Sequence, residues 1–195
     1  MKEKIITKEE FIKTKWAGGE TTQLTIYPED ANFSERDFLW RISSATFTGT
    51  ESKFSDFSGY QRYILPLEGR LSVFHKGLYS RELDKFEVEY FDGSWETYSE
   101  NSLDCRDYNF IVKNGSLAKM QILNNGDDYN IKASEVTTLF STEDFMIELA
   151  DAYIREIEGF SLLVLEIDQE ERIKIRSAGA PIVLTEFSID NKKIK

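Results

Sequence analysis

The sequence predicts an all-β protein built as two barrel-like halves, and three observations carry that prediction. Aromatic residues make up 13% of the chain, with 14 Phe, 9 Tyr and 3 Trp, and flat rings pack well on a pleated surface. Short stretches with a period of two recur along the chain, punctuated by Gly turns. A weak internal repeat is visible as well. Ile64-Leu65-Pro66-Leu67-Glu68-Gly69 precedes Leu71 and Val73, and Ile154-Arg155-Glu156-Ile157-Glu158-Gly159 precedes Leu162, Leu163 and Val164. Both segments read strand, Glu-Gly turn, strand.

Taken in order, the first element reads as a short helix. Thr7 followed by Glu10 is a capping-box pattern, with Phe11 and Ile12 then packing inward. Trp16-Ala17-Gly18-Gly19 reads as a turn. From Glu20 the strand signal dominates: Thr22, Leu24 and Ile26 alternate with Thr21, Gln23 and Thr25, and Pro28 ends the run. Phe38 to Phe47 is a second strand, apolar on both faces and therefore covered on both sides. Tyr60 to Leu67, Leu71 to His75, Phe86 to Phe91 and Tyr108 to Val112 follow. Such turn-punctuated spacing fits a sandwich or barrel. The 195 residues allow one large domain or two small ones, and the division is placed at 1–115 and 116–195. Asn124-Asn125-Gly126-Asp127-Asp128 is the candidate connecting turn. Thr142 to Ala150 carries both a helix cap and a strand alternation, and strand is preferred.

Charge narrows the partners. Acidic residues outnumber basic ones 35 to 24, a formal charge of −11. A nucleic-acid binder needs a basic face, and the only Lys cluster, Lys192, Lys193 and Lys195, reads as a solvated tail. The acidic balance also disfavours anionic membranes. No apolar run is long enough to span a bilayer, and the N-terminus has no apolar signal region. With the single Cys105, these features predict a cytoplasmic protein.

Several kinds of chemistry are missing. A zinc or iron site usually needs two or three His or Cys ligands, and this chain offers only His75 and Cys105. No metal or other cofactor is therefore expected, although coordination by oxygen alone stays open. His75 reads as a surface or edge histidine before a turn. No Gly-x-Ser-x-Gly elbow, phosphate loop or dinucleotide fingerprint occurs. What stands out is arginine inside strand sequence. Arg41 shares a strand face with Leu39, Ser43 and Ala45, and Arg62 shares one with Tyr60 and Ile64. A buried guanidinium keeps its charge and needs an anion. Asp107 would be the internal partner; a ligand carboxylate held in a barrel mouth would be the external one. The tryptophans read mainly as packing, with Trp16 beside its Gly-Gly turn the exception.

Four segments, in order, resemble the HutD/Ves family. They are Trp16-Ala17-Gly18-Gly19-Glu20-Thr21-Thr22, Phe38-Leu39-Trp40-Arg41-Ile42-Ser43-Ser44-Ala45, Phe54-Ser55-Asp56-Phe57-Ser58-Gly59-Tyr60-Gln61-Arg62 and Asp107-Tyr108-Asn109-Phe110-Ile111. The resemblance covers roughly residues 11 to 115. It implies a bicupin, two cupin-like barrels in one chain, without the usual cupin metal ligands and associated with histidine utilisation in bacteria. Ala17, Ser58 and Gln61 depart from the family pattern. A neutral Gln61 in place of an acid would leave Arg62 freer to bind an outside anion.

The leading expectation is a small-molecule binding or regulatory protein. Its ligand is a small carboxylate such as N-formylglutamate. Arg62 holds it, Arg41 braces the site, Trp16 covers it, and Asp107 and Asn109 complete the set. A rival reading is a metal-independent cupin isomerase, lyase or hydrolase using His75 or Asp107 as acid/base. A third is an interaction module in which both arginines are neutralised internally. The sequence leaves room for a homodimer.

Overall fold

The computed structural model describes residues 1–133, 136–149 and 152–189. The terminal Lys192, Lys193 and Lys195 lie outside the described residues. Among those described, every regular element is a β-strand. The first eleven strands are β1 (Lys2–Ile6), β2 (Ile12–Trp16), β3 (Gly19–Tyr27), β4 (Trp40–Phe47), β5 (Glu51–Lys53), β6 (Tyr60–Glu68), β7 (Leu71–His75), β8 (Tyr79–Leu83), β9 (Glu89–Asp92), β10 (Thr97–Asn101) and β11 (Arg106–Lys113). The rest are β12 (Ser116–Leu123), β13 (Asp128–Ile131), β14 (Val136–Phe140), β15 (Phe145–Leu149), β16 (Ile154–Ile157), β17 (Leu162–Glu166), β18 (Glu171–Ala178) and β19 (Ile182–Ile189).

The chain divides into two compact units, Phe11–Asn114 and Met1–Glu10 with Gly115–Lys195. The first holds a six-stranded sheet, β2-β3-β4-β11-β6-β9, and a four-stranded sheet, β5-β10-β7-β8. The second holds a five-stranded sheet, β1-β17-β14-β19-β12, and a four-stranded sheet, β13-β18-β15-β16. Eight strands therefore follow one order twice. Shifting β4-β11-β6-β9 and β5-β10-β7-β8 by eight strands gives β12-β19-β14-β17 and β13-β18-β15-β16.

This duplication is not the one the sequence suggested. Ile64 to Glu68 lies in β6 and Leu71 in β7, whereas Ile154–Ile157 is β16 and Leu162 opens β17. The topology matches β6 to β14 and β7 to β15, so the sequence repeat aligned strands of different position. Residues 1–10 also leave the expected 1–115 half. β1 pairs antiparallel with β17, Lys2 opposite Glu166 and Ile6 opposite Leu162. Asn124 to Asp127 is a turn inside the second unit, between β12 and β13. It is closed by Asp127 N donating to Asn124 O at 3.0 Å.

The first turn is also corrected. Thr7 N donates to Glu10 Oε2 at 2.8 Å, the capping-box bond, yet no helix follows. Ile12 begins β2 instead and is 61% exposed. Elsewhere the alternation was a good guide. β3 ends before Pro28, and Trp40 to Ala45 of β4 are buried on both faces. The ambiguous stretch after Thr142 forms β15.

The two interiors differ. In the second unit Leu123, Leu139, Ile147, Leu165, Ile175 and Leu184 belong to one continuous apolar cluster. In the first, two smaller clusters, around Leu71 and Val73 and around Phe38 and Phe57, border a space that charged side chains also line.

Candidate functional site

That space is a cavity of ≈ 490 Å³ in the first unit, and all five residues singled out from the sequence line it. Strand alternation explains the convergence. Arg41 on β4 pairs with Ile111 on β11, and Ile111 pairs with Arg62 on β6. Side chains directly opposite one another share a sheet face, so one cross-strand row reads Arg41, Ile111, Arg62. Asn109 and Asp107 follow Ile111 at two-residue steps on the same face.

Both arginines are buried, at 6% exposure each. Arg41 Nε donates to Gln23 Oε1 at 2.8 Å, and its Nη1 donates to Ser43 Oγ at 3.0 Å. Arg62 Nη2 donates to Asn109 Oδ1 at 2.8 Å, while its buried Nε has no acceptor among the described residues. Among the described residues, neither guanidinium makes an ion pair with a carboxylate. Aromatic faces stand in. Arg41 lies 4.0 Å from the Phe33 ring centre, and Arg62 lies 4.7, 5.4 and 5.1 Å from those of Phe54, Phe57 and Phe91. A ring face attracts a cation without cancelling its charge. Burial pulls both guanidinium pKa values down to about 10, so both stay charged at neutral pH.

Asp107 is the internal anion expected for these arginines, but it is held elsewhere. Its Oδ1 accepts the Ala45 backbone N–H at 2.7 Å. Burial pushes its carboxyl up to about 6, against the Ala45 N–H, Asn109 and the more distant Arg62 and Arg41, which all pull it down. Gln61 plays no part. Its neighbour Arg62 faces the cavity, so alternation turns residue 61 to the opposite face, where it could not have competed for Arg62.

Trp16 stands at the cavity wall, 41% exposed. Its Nε1 donates to Thr21 Oγ1 at 3.1 Å, and its ring meets Phe47 edge-on at 6.3 Å. A Cβ on Gly18 would come within 1.9 Å of the indole. The Trp-x-Gly-Gly-x-Thr segment is therefore a seat for the indole. Gly18 leaves room beneath the ring and Thr21 anchors its nitrogen.

His75 is corrected from an edge residue to a buried one, 2% exposed on an internal strand. It does not line the cavity. Its Nδ1 shares a hydrogen with Thr97 Oγ1 at 2.8 Å, and Phe91, Tyr79 and Trp95 surround it. Phe91 touches both His75 and the Arg62 guanidinium. Among the described residues, no cluster of three or more His, Cys, Asp or Glu could hold a metal ion. Sequence reasoning missed Gln23, Phe33, Phe54 and Phe57. The last two were in plain view, eight and five residues before Arg62, and cation–π pairing was the signal available.

The all-β architecture around this cavity is a cupin-like fold. A cupin 2 conserved barrel domain protein from Leptotrichia buccalis matches with a TM-score of 0.58 at 11% identity, covering 96% of each chain. The HutD family matches residues 8–183, and the chain belongs to that family. The conserved protein of unknown function PA5104 from Pseudomonas aeruginosa PAO1 is 26% identical, with a TM-score of 0.84 over 96% of this chain and 100% of that one. HutD from Pseudomonas fluorescens SBW25, in a formate condition, is 22% identical, with a TM-score of 0.78 over 96% and 98%. No curated protein sequence matches. No helix among the described residues is long and apolar enough to cross a membrane.

Proposed function

We propose that this protein is a bicupin that binds a small carboxylate without a metal, as a cytoplasmic binding or regulatory protein linked to histidine utilisation. One observation carries the reading: two buried arginines face a cavity and, among the described residues, neither is ion-paired to a carboxylate. A buried cation without an anion is costly, and a bidentate carboxylate is the partner a guanidinium fits best. Had the arginines been purely structural, each would be expected to hold an internal carboxylate. The eight-strand order present twice supports the two-barrel arrangement, and the family supports the metabolic setting. In this reading Arg62 grips the ligand, Arg41 and Asn109 steady it, and Trp16 covers it.

Thermal-shift titration with N-formylglutamate, urocanate and formate tests this. A ligand at a hundred times its Kd should stabilise the protein by about 2.7 kcal/mol. Arg62→Ala should lose that shift. Equal shifts in native and variant protein, or none with any acid, would overturn the reading.

A second reading rests on Asp107. A carboxyl raised to about 6 beside two guanidiniums could exchange a proton with a substrate whose developing charge the arginines stabilise. It predicts turnover of one of these acids, followed by NMR and abolished by Asp107→Asn. His75 is a poor candidate for that role, being walled off behind Phe91.

A further inference from the structure

The cross-strand row specifies more than one anion contact. Arg41 and Arg62 sit on the two strands flanking β11, with Ile111 between them. Two strand spacings place their backbones roughly 10 Å apart. The ends of the row are therefore cationic and its middle is apolar. The charges in the cavity can be counted. Arg41 and Arg62 supply two positive charges and Asp107 at most one negative. Lys53 also lines the wall, but its Nζ is engaged by Glu96 at 3.1 Å. One incoming carboxylate balances the site with Asp107 ionised. Two balance it only with Asp107 protonated.

We infer that the site takes a short α,ω-dicarboxylate, one carboxylate on each arginine and its methylenes over Ile111, and that Asp107 takes up a proton from solvent as the second carboxylate enters. The inference rests on the reading of the cavity as a carboxylate site. The charged groups acting on Asp107 are Arg41 from β4 and Arg62 from β6. β3 contributes only the neutral Gln23, and the Cys105 thiol ahead of β11 stays neutral, pushed up to about 12 by burial. Without ligand, the Asp107 carboxyl already sits at about 6. A second carboxylate nearby raises it further. Affinity is then fullest below the free-state value and falls as pH rises toward the bound-state value.

Calorimetric titration of the intact chain with glutarate and with butyrate, between about pH 6.5 and about pH 8.5, tests the inference where both ligands are ionised. Glutarate should bind at least about tenfold more tightly than butyrate at the lowest pH, weakening by up to about tenfold per pH unit. Buffers of different ionisation enthalpy should report about one proton taken up per glutarate. Butyrate should show less than half that slope. Arg41→Gln should bring glutarate down to the level that butyrate reaches with the same variant. Asp107→Asn should bind glutarate with no slope, and if it does not fold, the native slope decides alone. If butyrate binds through Arg62 and glutarate is no tighter, or the native glutarate slope is flat, the inference falls and the carboxylate reading stands. If a folded protein binds neither ligand, both fall.

Discussion

The two units are built on one strand order and use it in opposite ways. In the first, the row across β4, β11 and β6 is Arg41, Ile111 and Arg62. Across the equivalent β12, β19 and β14 a row reads Lys119, Glu186 and Thr137. There the opposite charges sit on adjacent strands and are bridged. Lys119 Nζ donates to Tyr129 Oη at 3.2 Å, and that hydroxyl donates to Glu186 Oε2 at 2.7 Å. Below that row Leu139 and Leu184 are fully buried in a continuous apolar core. One unit bridges its opposite charges and fills its interior with apolar side chains. The other keeps two like charges over a cavity. The scaffold decides where side chains converge, and the chemistry follows from whether the converging charges cancel.

Four substitutions would break or sharpen that contrast, taken from the largest effect to the smallest. Leu184→Ala should cost about 2–5 kcal/mol, because a full core leaves a void when a side chain is cut back. Urea unfolding measures it, and a loss below about 1 kcal/mol would mean the second interior is not tightly packed. Arg62→Leu should act in the other direction. Removing an unpaired buried charge should leave the free protein unchanged or up to about 2 kcal/mol more stable, while anion binding disappears. Destabilisation as large as that of Leu184→Ala would show that Arg62 is structural.

Gly18→Ala comes next. The added methyl must displace the Trp16 indole, at about 1 kcal/mol, with a shift in tryptophan emission. An unchanged spectrum would show that the ring is not held as described. The smallest effect concerns His75. Burial holds its pKa below 6.5, although Glu89 pulls it up. The folded state thus favours the neutral ring, and the unfolded chain protonates first on acidification. The stability that the neutral ring contributes is fully present above 6.5 and erodes as pH falls below it. Asp107 has the opposite sign, its raised carboxyl favouring the fold as pH drops from about 6 toward 3.8. It is common to both proteins in a comparison of native with His75→Asn and cancels there. The native urea midpoint should fall more steeply than the variant's between about pH 7 and about pH 5. Equal slopes would remove His75 from the account.

Much of the site was legible in the chain, because alternation tells which strand residues share a face. Arg41 and Arg62 drew attention as charges inside apolar strands. The cavity brings them together with Trp16, Asp107 and Asn109. Phe54 and Phe57 were visible in the same motif, but their role depends on ring orientation, which spacing does not encode. His75 looked peripheral because a turn follows it at once. Only the neighbours β10 and β8 on either side of β7 show that it is enclosed.

What the sequence by itself determined is therefore local: strand character, the side each residue faces, and the presence of charges needing partners. These follow from a period of two and from the cost of burying ions. Tertiary structure alone decided the non-local matters. Residues 1–10 join the second unit because β1 finds its partner in β17, some 160 residues away in the chain. The duplication resides in strand order, which survives when the residues that first suggested a repeat turn out to sit on different strands. Asp107 fails to neutralise the arginines because the Ala45 N–H holds its carboxylate, a contact 62 residues apart. Partner choice at such separations depends on which strands meet, and pairing energy is spread over whole ladders that no short segment contains.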